Sequence, residues 1–394
     1  MIFVVALISK LLLFCIEIVP KAFVDTNVYG YFALNLAQIM LLSSFISFGS
    51  VNYLLKDMAT CNSKTKSLIL SCLISFIITS IILIGSFFVY VNKYVVFGSL
   101  LLSLIMILST YYRFNSMTIN WYILKDVVRS SFFIILLSMT FFIGYQIDLT
   151  ILYFISLFLS FIILFFLVFK KMKFNKINLN SFKIKDITSR IVLSSPIVFT
   201  GISYLLVSRI DTFYVSKLLG IDVLADYSFV SRVMYQSLFF MQIIQAKHLH
   251  KIAKEFSQAR NFEALKLSKK IRRESLILTA ILSLIILLAL NSSIVVNTFN
   301  IKVDNVFEIS LIFLILHIGT AYFGLYGYML LYIDKQVYSI FNSIIIICLS
   351  VLLLPFFISV FGSIGAAIAT TISILIGNFL EKIQFTYFFN IKKR

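Results

Sequence analysis

Charge is scarce in this chain. Asp, Glu, Lys and Arg make up 13% of its 394 residues, where a soluble domain carries about a quarter. That excludes an ordinary water-soluble globule. Proline contributes 3 residues and glycine 13, too few for the many turns of an outer-membrane barrel. The four cysteines, Cys15, Cys61, Cys72 and Cys348, are scattered and form no C-x-x-C pair. Neither a disulfide framework nor a zinc site is implied.

Histidine is as sparse. His248 and His250 lie two apart, on different faces of a helix, so they do not read as metal ligands. His317 stands alone among apolar residues and reads as a packed or hydrogen-bonded side chain. There is no H-E-x-x-H, no P-loop and no G-x-S-x-G. "FGSIGAAIATT" at 361–371 lacks the third glycine and the βαβ setting of a nucleotide fingerprint. Its small residues instead suit close helix packing. No cofactor and no enzyme activity are expected, and any transport must draw on an ion gradient or on the substrate's own gradient.

What the chain has is apolar length. Hydrophobic residues reach 61%, and Phe alone supplies 42. The apolar runs last about 20 residues, enough to cross a bilayer as helices. They predict spans near 2–20, 31–55, 67–91, 94–112, 123–144, 149–169, 191–216, 227–247, 275–296, 307–331, 338–358 and 363–385. The opening residues lack the basic start and small-residue cleavage site of a signal peptide and are read as the first span.

The formal net charge is +18, and its placement gives its meaning. One set of loops holds Lys56, Lys64, Lys66, Arg113, Lys125, Arg129, Lys335 and the tail "IKKR". It also holds the basic stretches 170–190 and 247–273. The opposite set holds only Lys21, Lys93, Lys217 and Lys302. Lys and Arg collect on the cytoplasmic side, which places both termini there. The charge also predicts contact with anionic lipid headgroups, and no nucleic acid is expected as a partner. Within 247–273, Leu249, Ile252, Phe256 and Leu265 are spread among Lys and Arg, which predicts amphipathic helices lying on the inner surface.

The basic stretch near mid-chain predicts two lobes, 1–170 and 191–394, joined by a linker over 171–190. "KAFVDTNVYGY" at 21–31 and "KLLGIDVLADY" at 217–227 align without gaps at an offset of 196, pairing Lys21 with Lys217 and Tyr31 with Tyr227. That repeat supports two parallel lobes.

Polar residues inside spans mark function. Lys10 and Glu17 share a face of span one, about 10 Å apart along the axis. Asn35, Gln38 and Asn52 share a stripe of span two with Tyr31, Leu42, Phe45 and Gly49. Span seven carries Thr200, Tyr204, Ser208 and Asp211 on one face, with Arg209 about 200° away from Asp211. Span eight carries Arg232 and Gln236, one turn apart. These four spans are expected to face a central cavity holding the cations Lys10, Arg209 and Arg232 and the carboxylates Glu17 and Asp211. Other readings stay open. Lys10 and Glu17 neutralise each other or a neighbour, Asp211 and Arg232 form an interhelical salt bridge, or Arg209 snorkels outward.

Three stretches carry a resemblance. "AFVDTNVYGYFAL" resembles the Leu-Gly-x-x-x-Tyr-Gly pattern after the first span of polysaccharide flippases, with Val24-Asp25 in place of Leu-Gly. "RIDTFYVSKLLGIDVLADYSFVSRV" resembles their span-seven aspartate followed by Leu-Gly, Tyr-Ser and a span-eight cation. "LPFFISVFGSIGAAIATTISILI" resembles the entry to their last span. The family is the Wzx-type flippases of O-antigen and capsule repeat units, which share a superfamily with MATE exporters and lipid II flippases. The resemblance implies an all-α integral membrane protein of the MATE-like fold, about twelve spans in a V-shaped pair of six-helix lobes. It implies a multi-pass protein of the bacterial inner membrane that flips undecaprenyl-diphosphate-linked oligosaccharide by alternating access.

In that setting Lys10, Arg232, Arg209, Asn35, Gln38, Tyr204, Ser208 and Gln236 are the candidate substrate-binding residues. Asp211 and Glu17 are candidates for coupling to H+ or Na+. A monomer is expected, with other polysaccharide-assembly membrane proteins as partners. Two alternatives compete. A MATE-like exporter of organic cations calls for a negative cavity. A polymerase or glycosyltransferase calls for a long external loop, which this chain lacks.

Overall fold

In hydrocarbon every backbone N–H and C=O must be satisfied within the protein, and a helix does this within one segment. The computed structural model follows that rule, with no strand among the described residues. It describes residues 2–50, 54, 64–86, 92–115, 117–144, 148–171, 188, 191, 206–258, 260–302, 305–333 and 335–391. Eight helical stretches in this set are long and apolar enough to cross a membrane. The chain is therefore a multi-pass membrane protein. It divides into two compact units, Met1–Leu205 and Leu206–Arg394.

In the first unit, α1 spans Ile2–Ile18 and α2 spans Thr26–Ser47. α3 follows over Lys64–Ser86 and α4 over Lys93–Phe114. α5, Thr118–Tyr122, passes through a wide π turn at Ile123–Val127 into α6, Val128–Ile143. α7 covers Leu149–Lys171. α4 is the centre, packed against α2, α3 and α7. Its inward positions include small residues such as Ser99 and Ser103, which let neighbours approach closely. α1 packs on α5, the π turn and α6.

In the second unit, α8 covers residues 206–218 and α9 covers Ile221–Tyr235. A short 3-10 turn, Gln236–Leu238, leads into α10, Phe239–Ser257. α11 runs over Asn261–Leu290, and a short α12 over Ser293–Thr298. α13 and α14 cover Val306–Phe323 and Tyr326–Tyr332. α15, Gln336–Ile391, is two helices run together across a kink at Gly362. α13 packs on α9, α11 and α15, and α15 also packs on α14.

Two expectations change. Lys125 and Arg129, read as loop residues, lie in the helical run from Thr118 to Ile143. Two cations and an aspartate within five residues resemble a loop by charge, yet they lie within the helix, where Asp126 pairs with Lys125 and Arg129. Residues 247–273, read as helices lying on a membrane surface, are the adjoining ends of α10 and α11, packed against each other. Ile252 and Ile271 join Leu325, Met329, Leu330 and Phe385 in a buried apolar cluster. Their apolar face is covered by protein. The linker over 172–187, Asn52, Thr200 and Tyr204 lie outside the described residues.

Candidate functional site

Gly220 separates α8 from α9. Its φ of 92° lies in the left-handed region that glycine enters without strain, and a Cβ there would meet nothing within 4 Å. Backbone conformation, rather than space, selects glycine. The turn folds α9 back on α8, so residues 16 and 20 positions apart become neighbours.

Asp211 is 4% exposed. Its Oδ2 accepts from Tyr227 Oη at 2.7 Å. Its Oδ1 accepts from the Thr212 backbone N–H at 2.7 Å and from Thr212 Oγ1 at 3.3 Å. Arg232, 7% exposed, donates through Nη1 to the Ser208 carbonyl at 3.3 Å and through Nη2 to Thr212 Oγ1 at 3.3 Å. Asp211 and Arg232 therefore belong to one buried network, joined through the Thr212 hydroxyl. The Gln236 side chain donates to the Arg232 carbonyl at 3.4 Å and sits in the 3-10 turn that ends α9. Arg209 is 8% exposed. It is enclosed by protein rather than reaching outward, as the snorkelling alternative required.

In the first unit the predicted residues are not gathered in the same way. Lys10 is exposed on α1, and Glu17 is half-buried one helix end away. The Glu17 backbone carbonyl accepts from Tyr29 Oη at 2.7 Å. Asn35 donates to Thr150 Oγ1 at 2.9 Å and ties α2 to α7. Gln38 is half-buried, and Tyr31 and Phe45 on the same stripe are exposed. The stripe is thus an open face of α2, opposite the packed Tyr29, Phe32 and Leu36. The offset that pairs Tyr31 with Tyr227 matches an exposed ring to a fully buried one. It likewise pairs buried Lys21, over the Tyr29 ring at 5.3 Å, with exposed Lys217. These pairs share a sequence position without sharing an environment.

Sequence reasoning missed a second buried ionic network, in the first unit. Asp126, in the π turn, accepts from Arg129 Nη2 at 3.2 Å and from Ser9 Oγ at 3.2 Å. Arg129 Nη1 donates to Tyr153 Oη at 3.4 Å. Three helices thus meet on one carboxylate–guanidinium pair, with Ser9 and Asp126 117 positions apart. Only the Asp126-x-x-Arg129 spacing signals the pair in advance, because residues three apart share a helix face. His317 is fully buried and hydrogen-bonded to Ser237 Oγ at 2.8 Å through Nδ1, as its isolation suggested. No group of three metal-ligating side chains occurs among the described residues.

The two units share a chemistry: a buried carboxylate held by hydroxyl donors beside an arginine. Each carboxylate accepts hydrogen bonds from more than one helix, Asp211 from Tyr227 and Thr212 and Asp126 from Ser9 and Arg129. A proton or small cation arriving there changes the donor–acceptor pattern of the helices it joins.

No family model and no curated protein matches the chain in sequence. Solved structures do match its fold. An inward-facing multidrug resistance transporter of the MATE family, in the MOP superfamily, aligns with TM-score 0.68 at 12% identity, over 97% of this chain and 95% of that one. A Vibrio cholerae MATE transporter aligns with TM-score 0.65 at 13% identity, over 98% and 95%. The lipid II flippase MurJ, in an inward closed conformation, aligns with TM-score 0.64 at 17% identity, over 97% and 87%. The chain has the MATE-like, all-α fold shared by these transporters and this flippase.

Proposed function

We propose that this protein is a flippase of the bacterial inner membrane that moves undecaprenyl-diphosphate-linked oligosaccharide from the inner to the outer leaflet. The cargo is an O-antigen or capsule repeat unit, and the two lobes give it alternating access. The observation that carries this reading is the cationic character of the polar helices, with Arg209 and Arg232 both enclosed in α8 and α9. A diphosphate cannot cross hydrocarbon uncompensated, and guanidinium groups suit its oxygens through a planar fork of donors. The fold shared with a lipid II flippase supports the lipid-linked class of cargo.

The roles divide by exposure. Lys10 and Gln38 lie where a headgroup and its sugars reach them, on open or half-open helix faces. Arg232 offers its guanidinium to the diphosphate, held by the Ser208 carbonyl, with Gln236 bonded to its backbone and Thr212 linking it to Asp211. Asp211 couples to H+ or Na+. When it binds the ion, the hold of Tyr227 and Thr212 on its oxygens changes, and α8 and α9 are free to repack. A ligand biases two states only by its different affinity for them, and a carboxylate with distinct partners in each state supplies that difference. Glu17 is the matching candidate of the first lobe.

Replacing Arg232 and Lys10 with Ala tests the reading in cells that depend on the chain for surface polysaccharide. Polysaccharide is expected to fall sharply at normal protein levels. Unchanged polysaccharide contradicts the anion-binding role.

A MATE-like exporter of organic cations is the second reading, favoured by the alignments to multidrug transporters. It needs a negative site, and the buried arginines argue the other way. Raised drug susceptibility in a deletion strain with intact polysaccharide identifies that case.

A further inference from the structure

Positive charge gathers where α1, the end of α4 and the π turn at Ile123–Val127 meet. Lys125 lies 3.6 Å from Asp126, which also meets Arg129 at 3.2 Å. Arg113 shares the Trp121 ring with Lys125, and Lys10 follows Ser9, whose hydroxyl reaches Asp126 at 3.2 Å. Four cations thus face one carboxylate, an excess of three. Asp126 is already engaged, by Arg129 at 3.2 Å and Lys125 at 3.6 Å. Lys10 and Arg113 are exposed and form no ion pair among the described residues. Arg129 Nε is buried with no acceptor among them.

Aromatic rings fix this arrangement. Trp121, the one tryptophan of the chain, has Arg113 at 5.0 Å and Lys125 at 4.8 Å from its ring centroid. Lys171, at the end of α7, lies over Tyr112 at 4.9 Å. A cation over a ring is held in place while its charge stays unneutralised. Tryptophan is enriched at the membrane–water interface, where lipid phosphates lie.

Like charges gathered around one carboxylate repel one another. The repulsion is relieved by a multivalent anion, and an interface offers one class of it, the phosphate of a lipid. We propose that Arg113, Lys125 and Lys10 form a capture site for the diphosphate of a polyprenyl-linked lipid, with Asp126 and Arg129 as its rigid support. A diphosphate's charge matches the excess better than the single charge of a phosphatidylglycerol headgroup. The assignment rests on the flippase reading for its cargo and adds a first docking point on the first unit. That point is separate from the α8–α9 network.

Trp121 is the reporter. The purified full chain, in phosphatidylcholine liposomes, is titrated with undecaprenyl diphosphate, and separately with phosphatidylglycerol, while tryptophan fluorescence is read. A saturable change is expected with the diphosphate, at an affinity about tenfold or more above that for phosphatidylglycerol. Arg113→Gln and Lys125→Gln are expected to weaken it about tenfold each, and Arg113→Lys to restore much of it. Arg113 is exposed, so its variants keep the fold. Because both cations lie against the Trp121 ring, circular dichroism and the melting temperature, rather than the starting emission, check that each variant is intact. Equal response to both lipids assigns the cluster to bulk anionic lipid and overturns the diphosphate assignment. No response, or full binding by Arg113→Gln and Lys125→Gln, overturns the site. Flipping by a wild-type protein that shows no such binding rejects this inference alone. Binding without flipping rejects the proposed function alone.

Discussion

Arg129 is 4% exposed and meets Asp126 at 3.2 Å inside the first unit. Removing one member of such a pair strands the other without its counter-charge, which costs about 3–5 kcal/mol. Removing both strands neither. Asp126→Leu and Arg129→Leu are each expected to lower the unfolding temperature in detergent markedly. The double variant is expected to be less destabilised than either single one. A double variant as unstable as the two losses added together would show that the side chains act independently. At this scale the sequence was only partly legible. Asp211 and Arg232 stood out as charges in apolar runs, but their link through Thr212 joins positions 20 apart. Asp126 and Arg129 were hidden because three charges near a helix entry look like a loop. Tyr153 and Ser9, which complete their shell, lie 24 and 117 positions away.

Among the elements, length and hydropathy gave the helices whose apolar run begins and ends with the helix itself. The expected 149–169 and 94–112 lie within Leu149–Lys171 and Lys93–Phe114. The method fails where a helix leaves hydrocarbon without ending. α11 starts at Asn261, well before the apolar run at 275, because Ile271 and its apolar neighbours are packed by α10 and α14 instead of lipid. The break between the last two spans was placed between 358 and 363, and the backbone turns at Gly362, with φ 58° and ψ −135°. A Cβ at Gly362 meets nothing within 4 Å, so Gly362→Ala tests backbone strain alone. It is expected to destabilise by about 1–3 kcal/mol. Gly85→Ala, also in open space but without a positive φ, is expected to be neutral or mildly stabilising through helix propensity. Thermal unfolding of both variants, side by side, checks this. Equal melting temperatures would remove the kink's requirement for glycine.

The whole molecule combines a MATE-like fold with two buried arginines, Arg209 and Arg232, in its second unit. The fold was legible from apolar runs and three motifs. The cargo was not, because sugar recognition rests on side-chain placement that no spacing rule encodes. The central claim is that this chain moves a lipid-linked oligosaccharide across a bilayer. It is tested most directly by reconstituting the purified protein into liposomes with a fluorescent undecaprenyl-diphosphate oligosaccharide on one leaflet, under an imposed H+ or Na+ gradient, and following arrival at the other leaflet. The account predicts gradient-dependent arrival for wild type, slowed about tenfold or more by Arg232→Ala, the scale of a lost charge-assisted hydrogen bond. Arrival no faster than in protein-free liposomes, with either gradient, would contradict it.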